Sequence, residues 1–473
     1  MSLPSTWRSE TSGRSSDNGQ TGRRLQHFTI SLVRKLVELG LSEPEAAAKT
    51  KLYELADKAL DKLGADAQRW SLWVPGRIEV LGKHTDYAGG RSLVCALERG
   101  FCVRVAPRSD ALVRACSIDR QALFQTSLAQ PVAGAPGEFS NYVATVVTRL
   151  AKNFQRVLRG ADIAFASDLP PDAGMSSSSA LVVATFIALS KTNDLRSNTM
   201  FRSLISSGEE LASYLGAVEN GRPFGQLAGD VGAGIFGGNQ DQTAILCSEP
   251  GQLVRFTWDP VKREGVYVIP SGYVFALGSS GVHAPKSGAA RAKYNNVSLA
   301  AQRLVELWNK DTGRSDVMLG SVLANVPGAV HHIRALAAKS RGSAFTATYL
   351  KGRLEQFVAE TYEIIPAASD TLDRGSLTEF GMVVDHSMRL AEANLGNQVP
   401  ETVTLQRSAR ELGAVAASAF GAGFGGAVWA LVHSDHGDAF LTQWSERYAK
   451  KHRKASKEAV FFLSRAGPHA YQF

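Results

Sequence analysis

Four consecutive serines are the densest chemical feature of the chain. In PPDAGMSSSSALVV, Pro170, Pro171 and Gly174 predict a turn, and Ser176, Ser177, Ser178 and Ser179 then fall in the first turn of an apolar helix. A helix begins with unpaired backbone N–H groups and the positive end of its dipole, so it attracts an anion there. One serine suffices to cap a helix. Four of them after a glycine go beyond capping and suit contacts to phosphate oxygens or a Mg²⁺ ion. This stretch lacks the Walker lysine and the GxGxxG spacing, so it is neither a P-loop nor a dinucleotide-binding turn. A second stretch, VPGRIEVLGKHTDYAGG, sets Lys83, His84, Asp86 and Tyr87 directly after a short apolar run. It crowds hydrogen-bonding side chains onto the end of a buried-type strand.

Apolar residues recurring every three or four positions from Leu25 to about Leu63 predict two helices ahead of the first strand. SLWVPGRIEVLG, SLVCALERGFCVRVAPR, ALVRACSI and GADIAFASDLP read as strands bounded by Gly and Pro. NYVATVVTRLAKNFQRVL and Ser203–Val218 read as helices, and YVFALGSS as a buried strand opening the second half. Strands and helices do not alternate in tidy βαβ units, so the expected class is α+β in two lobes. Residues 1–24, rich in Ser, Gly and Arg, are expected to form a disordered leader, followed by domains at 25–270 and 271–473.

The composition, 44% hydrophobic and 20% charged, is that of a globular chain. No apolar run reaches the ~18 residues that a membrane span needs, and the N-terminus lacks the apolar core of a secretory signal. A cytoplasmic protein without a membrane partner is therefore expected, with a monomer favoured. Cys95, Cys102, Cys116 and Cys247 show no metal spacing and are expected to be reduced core thiols. The net charge of +8 is thinly spread. Its densest run, RYAKKHRKASK, reads as a helix with a solvated basic face and lacks the interleaved aromatics of a single-strand binder, so no nucleic-acid partner is expected.

The serine stretch resembles the second motif of the GHMP kinase superfamily, PxxxGLSSSA, with Met175 in the Leu position and Ser179 where the first Ala stands. GRIEVLGKHTDYAGG is similar to the galactokinase signature GRVNLIGEHTDYNGG, and GAGFGGAVWAL, from Gly421, matches the family's glycine-rich C-terminal motif. FGMVVDHSMRL and QVPETVTLQRSARELGA follow the galactokinase pattern ahead of it. The resemblance runs from about Leu25 to the end of the chain. It implies a two-lobed GHMP kinase fold: an N-terminal lobe like domain 2 of ribosomal protein S5, a C-terminal ferredoxin-like lobe, and ATP between them. It further implies an ATP- and Mg²⁺-dependent sugar kinase that phosphorylates the anomeric hydroxyl of galactose or a related sugar.

Carried over position by position, the resemblance places the catalytic carboxylate at Asp241, in GGNQDQ, with Arg77 beside it. Lys83, His84, Asp86, Gly238 and Tyr294 would line the sugar site, with His283 upstream of Tyr294. Gly174, Met175 and Ser176–Ser179 would hold the nucleotide, and Ser178 with Glu219 the Mg²⁺. The stretch between Glu219 and Asp241 is longer than the family pattern, and Asp230 within it is a rival metal carboxylate. Ser418 and Phe420 stand where the third motif has Arg and Thr.

Two further departures bear on the substrate. Glu79 replaces the signature's Asn, and Lys83 replaces the glutamate that contacts a sugar hydroxyl. A lysine only donates, so it would pair with a uronate carboxylate, donate to a neutral aldose, or turn away to pair with Glu79. Other open readings are a kinase for arabinose or a uronic acid, a non-catalytic sugar and ATP sensor, and a GHMP kinase for a non-sugar alcohol such as mevalonate or homoserine.

Overall fold

Alternation along β1 (Trp70–Leu81) sends Leu72, Val74, Ile78 and Val80 into the main core. Trp73 points the other way, onto helices α1 (30–39) and α2 (Glu43–Lys62). The computed structural model describes residues 30–65, 67–154, 158–234, 236–282, 288–341 and 344–473. The leader expected at 1–24 lies outside them.

β1 pairs antiparallel with β2 (Arg91–Pro107), and a register shift between Glu79 and Leu81 redirects the chain just before the loop 82–90. Beyond β2 the sheet adds β3 (Leu112–Ser117), β4 (Ala122–Ser127) and, between β2 and β3, β5 (Ala161–Ser167). β3 and β5 are parallel to each other. β3 and β5 are the strands expected at ALVRACSI and GADIAFASDLP, whereas β4 was not expected. The hairpin β6 (Gln252–Trp258) and β7 (Val261–Val268) joins at β2. The end of the chain returns to the same sheet, where β12 (Ala466–Gly467) pairs with β2 and β13 (Tyr471–Gln472) with β1.

α3 (Phe139–Asn153) and α4 (Ser177–Thr192) pack together beneath this sheet. α4 is apolar on all sides, with Ala180 to Phe186 buried, as befits a helix with no solvent face. The expected single helix Ser203–Val218 is instead two, α5 (Thr199–Leu204) and α6 (Gly208–Asn220). Ser207 and Glu210 form a reciprocal capping box that starts a new helix at Gly208. α7 (Gln240–Cys247) follows the glycine-rich passage. That passage is held down by the fully buried Arg149, which donates to the carbonyls of Ala217, Arg222 and Ala228 and pairs with Asp230.

The second sheet is antiparallel, with order β11–β8–β10–β9, where β8 is Tyr273–Ser279, β9 Ala416–Phe420, β10 Ala427–His433 and β11 Phe461–Ser464. Between β8 and β9 the chain forms α8 (Gly288–Thr312), α9 (Leu319–Asn325), α10 (Ala329–Lys339) and α11 (Ala347–Val358). These helices share a separate core that also takes in Ala88 of the 82–90 loop. α11 runs through a π-helical turn, Ala359–Ile364, into α12 (Ile365–Asp373). α13 (Leu377–Asn394), α14 (Pro400–Glu411) and α15 (Gly437–Lys451) cover the second sheet. The basic run leaves the helix at Lys451 rather than continuing through Lys457. Tyr448 is the last residue of α15 with a buried side chain, and Lys450, Lys451, Arg453, Lys454 and Lys457 after it are exposed.

All four cysteines are buried and unbridged. Among the described residues, no helix is long and apolar enough to cross a membrane.

Candidate active site

Arg77 leaves β1 almost wholly buried and spends its guanidinium on two neighbours. Nε donates to Asp241 Oδ1 at 2.8 Å, and Nη1 donates to the carbonyl of Gly174 at 2.7 Å. Asp241 lies in the first turn of α7, and Gly174 lies in the turn that leads into α4. Ser179 closes the group: its Oγ donates to Glu219 Oε2 at 2.8 Å and lies 3.4 Å from Asp241 Oδ2. Gln242 also donates to Glu219 Oε2, at 2.6 Å. A cleft of about 300 Å³ opens here, lined by Arg77, Glu219, Asp241 and Ser176–Ser179 from one side and by Phe420 and the glycines of 421–426 from the other. Gly421 has φ of +77°, and a Cβ there would stand 2.8 Å from the Gly174 carbonyl, so the two glycine turns meet backbone to backbone.

Ser176 is the N-cap of α4 yet makes no side-chain capping bond. It is held at φ 61°, and its buried hydroxyl has no partner among the described residues. The helix therefore presents its first turn to the cleft with the capping position unused. The Met175 side chain goes into the apolar core, and only its backbone takes part, accepting from the Arg77 N–H at 3.3 Å.

His84 follows β1 with φ 56°. Its Nε2 meets the carbonyl of Ala422 at 3.1 Å, which can only accept, so Nε2 carries the proton; Nδ1 accepts from the Tyr87 hydroxyl at 2.9 Å. Burial, reinforced by the Arg353 guanidinium, pushes the imidazole down to about 4, so it is neutral at pH 7. Asp86 accepts from the Gln240 N–H at 3.3 Å, and burial together with the charge of Asp241 pushes it up to about 6. A Cβ at Gly238 would run into the Asp86 carboxylate, so glycine is required there.

Lys83 does not join this group. Its Nζ donates to Ser387 Oγ on α13 at 3.0 Å, and Ser387 in turn donates to Glu360 in the π-helical turn at 2.8 Å. Glu360 also accepts from the Gly82 N–H at 2.8 Å. Lys83 is 1% exposed and is not among the residues lining the cleft. β1 ends at Leu81 after its register shift, so the strand alternation that would have put residues 79 and 83 on one face does not reach Lys83. Glu79 stays in the cleft wall, where Oε2 accepts from Gln240 Nε2 at 2.7 Å. Burial pushes this carboxyl up to about 7, against the opposing pull of Arg77 and Lys83. Asp230 is taken up by Arg149 and lies outside the cleft lining. The Tyr294 side chain and His283 lie outside the described residues.

Three family descriptions match the chain: the galactokinase galactose-binding signature at 63–107, the GHMP kinases N terminal domain at 141–249, and the GHMP kinases C terminal at 369–450. The chain belongs to the GHMP kinase superfamily and is galactokinase-like. A galactokinase of Chloroflexus aurantiacus is 29% identical over 381 residues, covering 79% of this chain and 87% of that protein. A galactokinase of Roseiflexus sp. (strain RS-1) is 26% identical over 401 residues, covering 83% and 90%. Among solved structures, Lactococcus lactis galactokinase complexed with galactose superposes with a TM-score of 0.73 at 21% identity, over 89% of this chain and 99% of that one, which shows a shared fold.

For a GHMP kinase, the carboxylate of Glu219 and the hydroxyl of Ser178, both on the cleft, fit a hard cation that keeps few protein ligands and takes the rest from phosphate and water. No cluster of three or more His, Cys, Asp or Glu able to hold a metal occurs among the described residues, so such an ion would depend on the nucleotide for its remaining ligands. Reading the sequence missed Glu360, Ser387 and Arg353, which fix the 82–90 loop from the second lobe. Arg353 donates to the His84 carbonyl at 2.5 Å from 269 residues away. Each sits in a helical run that carries other charged residues, such as Lys351, Glu355 and Glu363 around Arg353 and Glu360, so nothing local set them apart.

Two outcomes follow from these placements. Lys83→Glu should put a second buried carboxylate beside Glu360 and destabilise the protein by about 3 kcal/mol or more, read as a lowered Tm, with Lys83→Met milder. A rise in KM at unchanged Tm would instead mean that Lys83 meets the substrate. Glu79 keeps its proton in the folded chain over a pH range where the unfolded chain has lost it, so it subtracts stability as pH rises from about 4.5 to about 7. Glu79→Gln should therefore gain roughly 1–3 kcal/mol over the wild type between pH 5 and pH 8, as measured by denaturant unfolding at each pH.

Proposed function

We propose that this galactokinase-type sugar kinase transfers the γ-phosphate of ATP to the anomeric hydroxyl of galactose or a related sugar. The observation that carries the reading is the Arg77–Asp241 pair, joined through Gly174 and Ser179 to the start of α4. It sets a fixed carboxylate next to a helix N-terminus that favours phosphate.

In this reading the Asp241 carboxylate accepts the proton of the attacking hydroxyl, or holds that hydroxyl in line with the phosphoryl group. Arg77 holds Asp241 in position and offsets negative charge that builds up during transfer. The first turn of α4, with Ser176–Ser179, receives the phosphates. Glu219 and Ser178 would hold Mg²⁺, which when bound neutralises phosphate charge. His84, neutral and tied to Ala422 and Tyr87, and Asp86, tied to Gln240, face the sugar end of the cleft. A reducing, cytoplasmic setting suits the four buried thiols.

Asp241→Asn should lower turnover at least ~10²-fold in a coupled assay of ATP consumption, while nucleotide affinity by calorimetry stays within about threefold of the wild type. Turnover unchanged in this variant would remove Asp241 from the chemistry, whereas no turnover by the wild-type protein itself would favour a sugar and nucleotide sensor.

A further inference from the structure

One oxygen in the cleft wall has nothing to bind. Glu79 is 4% exposed and uses a single oxygen, Oε2, on Gln240; Oε1 is buried without a hydrogen-bond partner among the described residues. A buried acceptor left unmatched is costly. Glu79 lines the cleft together with Arg77, Asp86 and Asp241, so a ligand in the cleft is the available source of a donor. The cationic side chains in the lining of the described residues are Arg77 and Arg120. The first is committed to Asp241 and Gly174, and the second lies beside Asp172 at the serine turn. Lys83, the one cation the signature loop offers, is turned into α13.

We propose that Glu79 is a specificity-determining contact of this chain, accepting a hydrogen bond from a non-reacting sugar hydroxyl, and that the substrate is a neutral aldose and not a uronic acid. The inference rests on the sugar-kinase reading above. Glu79 supplies, four residues earlier in the chain, the carboxylate that Lys83 removes from the signature. A uronate would bring a charge into a buried wall beside the Arg77–Asp241 pair, where the lining cations are Arg77, committed to Asp241 and Gly174, and Arg120, beside Asp172. A neutral sugar brings hydroxyl donors, which match an acceptor-rich wall.

The test compares wild type, Glu79→Gln and Glu79→Ala in ATP-dependent rates on neutral aldoses, the corresponding uronates, and the set of monodeoxy analogues of the accepted aldose. A neutral aldose should be preferred over its uronate at least 10-fold in kcat/KM. Glu79→Ala should raise KM for it about 10–100-fold, with kcat changed much less. Glu79→Gln keeps an oxygen for Gln240 but offers an amide N–H₂ where the hydroxyl needs an acceptor, so its KM should rise too. One deoxy analogue, the one lacking the partner hydroxyl, should be used equally well by all three proteins. An equal penalty on every analogue would make the effect of Glu79 structural and overturn the contact. A preference for uronates would overturn the substrate class and leave the kinase reading standing. Absence of any phosphorylated sugar with the wild-type protein would end the kinase reading, and this inference with it.

Discussion

A guanidinium that must be neutralised out of water organises the cleft. Arg77 is 4% exposed, and a buried charge without partners costs several kcal/mol, so the fold has to bring an anion and a carbonyl to it from two other elements. Asp241 arrives on α7 and the Gly174 carbonyl arrives at the start of α4. Meeting that single requirement fixes the distance between the carboxylate and the serine-rich start of α4. It also explains why the third glycine motif comes so close: Gly421 meets the Gly174 carbonyl that Arg77 already holds, and any side chain there would push the two turns apart.

Around this pair, three ionisable groups are moved toward neutrality. Glu79 is pushed up to about 7, Asp86 up to about 6 and His84 down to about 4, each chiefly by burial. A polyhydroxyl ligand needs many donors and acceptors and little net charge. Burying two acids and an imidazole supplies that, at a cost in stability that the empty protein carries. The unmatched oxygen of Glu79 and the unused hydroxyl of Ser176 both belong to residues that line this one cleft, and they are places where that cost falls. Local rules of satisfaction are broken where function needs them to be.

What the sequence made legible was local. The serine helix and the strand that ends in the HTDY loop each declare themselves within about a dozen residues, because turn chemistry and periodicity act over that range, whereas GGNQDQ is picked out only by its resemblance to the family. The split between α5 and α6 was equally local, since Ser207 and Glu210 spell out a capping box, and it was there to be read. The orientation of Lys83 was not. It depends on a register shift in the pairing of β1 with β2 and on Ser387, 304 residues further along the chain. Neither a strand period nor a motif comparison contains that information. The same holds for Arg149, whose carbonyl partners only become neighbours once the glycine-rich passage is folded over α3.

The exchange of charge between positions 79 and 83 is best understood from the second lobe. Glu360 is fully buried in the π-helical turn, and its donors are the Gly82 and Lys83 N–H groups and the Ser387 hydroxyl, with the Lys83 side-chain nitrogen one hydrogen bond further on. A carboxylate in that position tolerates a cation at 83 and rejects another acid there. With 83 basic and turned inward, the proposed carboxylate for a sugar hydroxyl comes from elsewhere on the same wall, from Glu79, which lines the cleft with Arg77. The pair of departures from the galactokinase signature is thus one rearrangement: the loop is anchored to the second lobe by a lysine, and the acceptor it gives up reappears on the strand behind it.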